Sequence, residues 1–209
     1  METIDKMETI SKTGTAGKID FDREVRYLER AGVRLMPDTV RVAVPDARNV
    51  LFRGLRHFVG DGAQWLPEYD EVADWLSDNK GRGLLCYGNC GRGKTLICTR
   101  VIPPLLSFYH GKLISLYDAM EMNGKPDEVL AKHLLCVDDI GVEGECVIYG
   151  ARRQLLAEIV DAAEKRGKLL VLTTNLSLNG LASRYGERTM DRLVAVTRRV
   201  NFKGGSLRS

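Results

Sequence analysis

Eight residues, from Gly88 to Thr95, have the types and spacing of a loop that binds phosphate. They satisfy the pattern GxxxxGK[ST], with an apolar run before them and a helical pattern after them. Glycine lets the backbone turn tightly, so that several N–H groups converge on phosphate oxygens at the start of a helix. Within the loop, Lys94 would reach the β and γ phosphates and Thr95 would ligate Mg²⁺. The predicted nucleotide-binding residues are Gly88, Asn89, Cys90, Gly91, Arg92, Gly93, Lys94 and Thr95.

Arg92 brings an extra cation to this loop. Its side chain either makes a further phosphate contact or extends into solvent, and we favour the second interpretation. The alternative for the whole loop is a glycine-rich turn that binds nothing. The strand pattern before Gly88 and the helical pattern from Lys94 argue against that alternative.

Two acids follow another apolar run, Leu134 to Val137. Since the carboxyl ends of parallel strands meet at one edge of a sheet, Asp138 and Asp139 should lie next to the phosphates. Asp138 is then placed to hold Mg²⁺ through water, and Asp139 to polarise the attacking water as a general base. A strand that simply ends in a polar turn is the alternative.

An amide, Asn175, stands at the end of a third apolar run, which begins at Leu169. At the end of a strand beside the phosphates, this amide would position the attacking water or sense the γ-phosphate. The other interpretation is that Asn175 is the N-cap of a helix starting near Leu176.

Three arginines, Arg184, Arg188 and Arg192, recur every four residues and would share one face of a helix. A solvated basic face is the ordinary explanation. The alternative is that one of them reaches the γ-phosphate of an adjoining subunit and stabilises the transition state, an effect of about 10³-fold or more. Residues 184–209 hold seven Lys or Arg and two acids, so this segment suits an anionic neighbour, either nucleotide or DNA.

A parallel sheet is needed to bring these residues together. After Lys80, short apolar runs alternate with amphipathic stretches, as in parallel strands joined by crossover helices. The pattern predicts a three-layer α/β domain over residues 80–209, with its clearest helix at Ala151 to Lys165. Five strands are expected, at Gly83 to Tyr87, Leu113 to Tyr117, Leu134 to Val137, Leu169 to Thr173 and Arg199 to Phe202.

The pattern is weaker ahead of this domain. Residues 1–17 are polar and indicate a flexible tail, and residues 18–79 form a small N-terminal segment that leads into the core. Gly60 to Gly62 indicates a turn. Periodicity predicts helices at Phe21 to Arg30, Asn49 to Val59 and Tyr69 to Leu76, and a strand at Val40 to Val44.

Length and composition narrow the remaining classes of protein. With 209 residues, 44% of them hydrophobic, the chain can bury one sizeable core. Its net charge of +3 does not by itself indicate a nucleic-acid binder. Five cysteines without CxxC spacing favour free thiols in a reducing compartment over a disulfide framework or a zinc site. No apolar run approaches the ~20 residues that span a bilayer, so we expect a cytoplasmic protein without a membrane partner.

Taken together, these motifs resemble those of the AAA+ ATPases of the DnaC and IstB type, the bacterial helicase loaders and transposition helpers. The resemblance covers about residues 48–209 and is most specific at Asp138 to Gly141 and at Gly186 to Leu193, since many unrelated families share a P-loop. It implies a three-layer α/β P-loop NTPase fold of AAA+ type, with a central, mainly parallel five-stranded sheet and no helical lid domain. It also implies ATP or ADP, and Mg²⁺, as cofactors.

The resemblance assigns a role to each residue set. Lys94 and Thr95 correspond to Walker A, Asp138 and Asp139 to Walker B, and Asn175 to sensor 1. Arg192 is the implied arginine finger, with Arg188 beside it. The motifs do not identify the adenine-binding residues, and we take the residues between Asn49 and Val59 as candidates.

Three positions depart from the family pattern. Arg92 stands where the family usually carries a small residue. Asp139 replaces the more general AAA+ glutamate and shortens the base by one methylene, so hydrolysis is expected to be slow. Ser206-Leu207-Arg208 resembles the closing Ser-Tyr-Arg of the family, with leucine in place of the aromatic residue.

The implied function is that of an ATP-hydrolysing protein that self-assembles on ATP, contacts single-stranded DNA and loads a replicative helicase. An IstB-like helper of a transposase is the first alternative, because the motifs of the ATPase core do not separate the two. The second alternative is a nucleotide-regulated DNA-binding scaffold with negligible turnover, which Arg92 and Asp139 suggest.

Overall fold

The computed structural model describes residues 19–33, 35, 37–144, 146–148 and 151–207, with the backbone alone described at 146–148, 151 and 152. The tail predicted at 1–17 and Arg208 lie outside the described residues. The chain divides into one unit that ends at residue 36 and a second unit, Pro37–Ser209. The first unit contains helix α1 (Phe21–Arg30), as predicted, and the Asp20 carboxylate caps it by accepting the Arg23 N–H at 3.1 Å.

The second unit is built on a five-stranded sheet in which every neighbouring pair of strands is parallel. The strands of this unit are β1 (Gly83–Gly88), β2 (Ser115–Asp118), β3 (Leu134–Asp138), β4 (Cys146–Ile148), β5 (Ala151–Arg153), β6 (Leu169–Thr174) and β7 (Thr197–Phe202). The sheet has the order β2-β3-β6-β1-β7, while β4 and β5 pair separately as an antiparallel ribbon. All five strands predicted for the sheet are confirmed.

Helices cover both faces of the sheet. They are α2 (Ala47–Val59), α3 (Pro67–Ser77), α4 (Lys94–Leu96), α5 (Ile102–His110), α6 (Ala119–Met122), α7 (Pro126–Ala131), α8 (Leu155–Arg166), α9 (Leu178–Tyr185) and α10 (Glu187–Val196). A 3₁₀ turn at Gly60–Gly62 follows α2, and a π-helical turn, Ile97–Val101, joins α4 to α5. No helix among the described residues has both the length and the apolar content needed to cross a membrane.

Two hydrophobic clusters give the fold its three layers. Successive residues of a strand point to opposite faces, so Leu84 of β1 belongs to the cluster under α2, α3 and α5, and Leu85 to the cluster under α8, α9 and α10. Trp75 of α3 is fully buried in the first cluster. The domain boundary predicted at residue 80 therefore falls inside the second unit, where α2 and α3 share one core with the sheet.

The strand predicted at Val40 to Val44 is wrong, although its alternating burial is right. Val40, Val42 and Val44 are buried, but the segment is irregular. The buried Asn79 side chain takes the place of a neighbouring strand: it accepts the Val42 N–H at 2.9 Å and donates to the Val40 carbonyl at 2.9 Å. One side-chain amide meets one N–H and one C=O of this segment, where a strand would offer a ladder, so the segment is held without joining the sheet.

Two predicted helical features also differ. The helix predicted from Ala151 begins at Leu155, because residues 151–153 pair with β4. The predicted shared helix face of Arg184, Arg188 and Arg192 does not exist, because Gly186 has φ +82° and separates α9 from α10. A residue at such a φ cannot continue a right-handed helix.

Candidate active site

The carboxyl ends of β1, β3 and β6 meet at a cavity of about 560 Å³, within the size range of small-molecule sites. Its polar side chains at the strand ends and the start of α4, a part of the lining that we call the polar end, are Lys94, Thr95, Asp118, Asp138, Asp139 and Asn175. Its apolar side chains, a part of the lining that we call the apolar end, include Leu55, Val59, Ala63, Leu96 and Leu207. Such a division suits a ligand with an anionic part and a flat apolar part.

The predicted phosphate loop runs from the end of β1 to the start of α4. Its glycines hold conformations that other residues rarely adopt, with φ of +112° at Gly88, +73° at Gly91 and +88° at Gly93. Space is equally limited, since a Cβ on Gly93 would lie 2.6 Å from the Tyr69 hydroxyl oxygen. The loop therefore depends on its glycines for both conformation and space.

Lys94 is a buried cation of this loop, with 5% of its surface exposed. Its ammonium group donates to the carbonyls of Gly88 at 2.9 Å and Asn89 at 2.7 Å, and to the Asn175 side-chain oxygen at 2.9 Å. Burial lowers the pKa of Lys94, while the carboxylates of Asp138 and Asp139 oppose that change. All three of its hydrogen-bond donors are occupied by oxygen atoms.

The two acids lie at the end of β3 and are held by the neighbouring strand β6. The Thr173 hydroxyl accepts the Asp139 N–H at 2.8 Å and donates to the Asp138 carboxylate. Asp139 has φ +59°, an uncommon conformation for a residue other than glycine. Burial raises the pKa of Asp139, and the charges of Asp138 and Asp118 raise it further.

Asn175 joins the loop to the acids. Its side-chain oxygen accepts from Lys94, and its NH₂ group donates to Asp139 at 2.8 Å. The alternative that Asn175 caps the following helix is wrong, because the Ser177 hydroxyl is the N-cap of α9 and accepts the Gly180 N–H at 3.1 Å. Lys94, Asn175 and Asp139 thus form one hydrogen-bonded chain across three strand ends, which we call the amide bridge.

Asp118 and Thr173 belong to this site but were not predicted. Asp118 ends β2, lies beside Asp138 in the register of the sheet and lines the cavity. It shows the same sequence pattern as the other acids, a polar residue at the end of an apolar run, so the sequence could have predicted it. Thr173 gave no signal, because a threonine inside a strand is ordinary. Leu55 and Val59, which line the apolar end, fall in the segment expected to bind adenine.

The interpretation of Arg92 as a solvated side chain is wrong. Only 12% of its side chain is exposed, and the guanidinium pairs with the buried Glu68 of α3 at 2.7 Å. The side chain is held in a buried ion pair and does not line the cavity.

Arg188 and Arg192 lie at a different cavity, of about 550 Å³, between α8 and α10. Arg192 pairs with Asp161 and, at 3.0 Å, with Glu164, both on α8. Arg184 lies elsewhere and donates to the Glu143 carbonyl. None of the three lines the cavity at the phosphate loop, so within one chain they contribute nothing to that cavity.

A magnesium ion fits the polar end of the cavity if it arrives with a nucleotide. Over the described residues, no three His, Cys, Asp or Glu side chains are grouped so as to hold a metal ion. Mg²⁺ needs no such cage, since it binds one or two carboxylates together with water and substrate phosphates. Thr95 and Asp138 both line the cavity and supply a hydroxyl and a carboxylate.

Comparisons with known proteins agree with the fold. The sequence matches no protein-family model and no curated protein. Among solved structures, the DnaC helicase loader is similar over 77% of this chain and 93% of its own, with 21% identity and a TM-score of 0.51. DnaI is similar over 85% of this chain and 94% of its own, with 19% identity and a TM-score of 0.50. The expected three-layer α/β fold with a parallel five-stranded sheet is confirmed, and it is the fold of the DnaC helicase loader and of DnaI.

Proposed function

We propose that this chain binds ATP and hydrolyses it with Mg²⁺, as an AAA+ ATPase. The amide bridge carries the proposal, because it connects the cation that would contact the β and γ phosphates to the acid that would activate water. A glycine-rich turn that binds no ligand does not require a buried lysine hydrogen-bonded, through an amide, to an acid on another strand.

Each side chain of the site has a role in this proposal. The N–H groups of the loop and Lys94 bind the phosphates, and Thr95 and Asp138 hold Mg²⁺, which neutralises charge on the phosphates. Asp139 accepts a proton from the attacking water, and its raised pKa makes it a stronger base than an ordinary aspartate. Asn175 orients Asp139 and keeps it within reach of the phosphates at the polar end of the cavity.

The apolar end of the cavity is the proposed site of the adenine base. Leu55, Val59 and Leu207 supply apolar walls, and Gln64 and Tyr69 are the polar side chains beside them. Few polar groups and a larger apolar surface are typical of sites for flat aromatic ligands.

Turnover of ATP by the purified chain tests the proposal. Wild type should release phosphate from ATP in the presence of MgCl₂, and Lys94→Ala should bind a fluorescent ADP analogue far more weakly. Lys80→Ala, which changes an exposed lysine ahead of β1, is the matched control and should behave as wild type. Nucleotide binding without turnover would favour the nucleotide-regulated scaffold, and no binding at all would contradict the proposal.

We further propose that the ATPase serves helicase loading in the cytoplasm, with single-stranded DNA and a replicative helicase as partners. Similarity in fold to the DnaC helicase loader supports this role, as does the basic segment 184–209. The proposal requires assembly on ATP, so the chain should sediment as an oligomer with ATP and single-stranded DNA but not with ADP alone. Capture of a replicative helicase by the tagged chain is expected, whereas capture of a transposase would favour the IstB-like alternative.

A further inference from the structure

The outer side of the phosphate loop is anchored by a buried ion pair between Arg92 and Glu68. Arg92 Nε donates to Glu68 Oε1 at 2.8 Å and a second guanidinium nitrogen approaches the same oxygen at 2.7 Å. The side chains are 12% and 6% exposed. Two charges withdrawn from water in this way are costly to separate, so the pair ties the loop firmly to α3.

Two carbonyls of the loop are also held by hydrogen bonds. The Gly91 carbonyl accepts the Leu207 N–H at 2.9 Å, and the Arg92 carbonyl accepts the Tyr69 hydroxyl at 2.9 Å. In a trans peptide the C=O and the N–H of the next residue point in opposite directions. Fixing these carbonyls therefore also fixes the N–H groups of Arg92 and Gly93, which point the other way and are the donors that a phosphate needs.

The guanidinium also reaches the segment that follows β7, residues 203–207. Arg92 Nη1 donates to the Gly205 carbonyl at 3.3 Å, and Asn89 donates its side-chain N–H to the Gly204 carbonyl at 2.8 Å. Packing is tight, since a Cβ on Gly204 would lie 3.1 Å from the same guanidinium nitrogen. One side chain thus connects the loop to α3 and to this segment.

We propose that the Arg92–Glu68 pair is a positioning device that sets the phosphate loop in its binding conformation before the nucleotide arrives. The proposal rests on the proposed nucleotide-binding function and assigns to Arg92 a role other than phosphate contact. A loop already in the binding conformation does not lose affinity to an ordering step. Arg92 would act through the backbone of the loop and is not a catalytic residue.

Glu68→Gln separates this role from its opposite. If Glu68 merely held a phosphate-binding arginine out of the cavity, Glu68→Gln would free Arg92 and tighten binding. A positioning pair predicts the reverse: the loop samples other conformations, and if about a tenth of molecules remain competent, affinity falls about tenfold. Affinity is measured with a fluorescent ADP analogue and MgCl₂ by titration.

The matched control is Asp74→Asn, a change of the same kind on the same helix. Asp74 pairs with Arg198 of β7 at 3.4 Å and is 70% exposed, and among the described residues none of its hydrogen bonds or ion pairs is with the phosphate loop. Its ADP affinity should equal that of wild type. Thermal unfolding of each variant separates a loss of affinity from a loss of fold.

Arg92→Lys gives a second, independent measurement. Lysine keeps the charge but has no planar fork, so it cannot contact Glu68 and Gly205 together, and it should lose affinity as Glu68→Gln does. In both variants the KM for ATP should rise with the loss of ADP affinity, while kcat falls much less. Hydrogen exchange of the Arg92 and Gly93 amides should become faster in the absence of nucleotide.

Three results would overturn the inference. Tighter ADP binding by Glu68→Gln would show that Glu68 restrains the arginine. Wild-type affinity in both Glu68→Gln and Arg92→Lys, with unchanged amide exchange, would overturn the positioning role and leave the proposed function intact. A wild-type chain that binds no ADP would overturn both.

Discussion

Asp139 combines three features that favour function over stability. It has a positive φ, lies close to the Asp138 carboxylate and has a pKa raised first of all by burial. In the folded chain its ionised form is therefore disfavoured, so ionisation of Asp139 costs stability at neutral pH. A base that is harder to ionise is also a better proton acceptor once it is ionised.

Asp139→Asn should abolish hydrolysis and stabilise the fold at neutral pH. Loss of the general base is expected to lower kcat by about 10²–10⁴-fold. Asparagine tolerates the positive φ and can still accept from Asn175, so the site keeps its shape. Thermal unfolding should show a higher midpoint than wild type at pH 7.

The pH dependence of that gain checks its cause. A raised carboxyl pKa means that wild type loses stability as pH rises through the pKa of folded Asp139, so the advantage of Asp139→Asn should shrink towards zero below the ordinary aspartate pKa. Hydrolysis by wild type should fall in acid for the same reason, because protonated Asp139 cannot accept a proton. An equal gain at all pH values would show that charge is not responsible.

At the scale of elements, the Asn79 side chain makes hydrogen bonds that a neighbouring strand would otherwise make. It serves both Val40 and Val42, and it also donates to the Arg82 carbonyl at 2.9 Å. Asn79→Ala should lower the free energy of unfolding by about 1–3 kcal/mol, since buried backbone groups lose their partner. Urea denaturation of wild type and variant measures this change in the free energy of unfolding.

Asn49→Ala is the control for that change. Asn49 is exposed and bonds only the neighbouring Asp46 carboxylate in the contacts described, so its loss should change the unfolding free energy by less than about 0.5 kcal/mol. Equal effects of the two substitutions would mean that the Val40–Val44 segment does not depend on Asn79.

The sequence predicted the elements whose periodicity and packing agree. The five strands of the sheet were found because each is a short apolar run bounded by amphipathic segments, and the buried face of α8 was found from its spacing. Val40 to Val44 alternates like a strand, but alternation reports burial on one side and not the presence of a neighbour. The break at Gly186 was missed because spacing alone cannot show a positive φ.

Within the site, too, some features could be predicted from sequence patterns and others could not. Strand ends predicted which side chains would meet, because topology fixes that edge of the sheet, and Lys94, Asp138, Asp139 and Asn175 do lie together. The partners of Arg92 and Arg192 could not be predicted. Both arginines pair with acids on helices that are distant in the sequence, Glu68 on α3 and Asp161 on α8. The local spacing of residues does not show how such helices pack.

At the scale of the whole molecule, Arg192 has two competing roles. Its pairs with Asp161 and Glu164 hold α10 on α8 within one chain, whereas a trans-acting arginine would serve the cavity of an adjoining copy. We expect Arg192→Ala to keep ADP binding but lose most hydrolysis, and a mixture with Lys94→Ala to recover part of it. Mixing restores activity only if one chain completes the site of another.

Asp161→Asn distinguishes the structural role of Arg192. It breaks the same ion pair but leaves the arginine in place, so a trans-acting role predicts that it retains hydrolysis. If Asp161→Asn and Arg192→Ala lose hydrolysis equally and no mixture recovers it, then the arginine acts only through the packing of α10. Phosphate release, measured beside thermal unfolding of both variants, decides between these outcomes.

The place of β1 within the sheet has a consequence for how the protein is made. β1 lies between β6 and β7, and Gly83 pairs with Thr197, so both neighbours of β1 are synthesised long after it. Until β6 is synthesised, the apolar strand that leads into the phosphate loop has no partner, and until β7 follows it keeps one unpaired edge that is exposed to aggregation. Nascent chains stalled before Thr197 should therefore bind no ADP. ADP should bind only those chains in which β7 has already been synthesised.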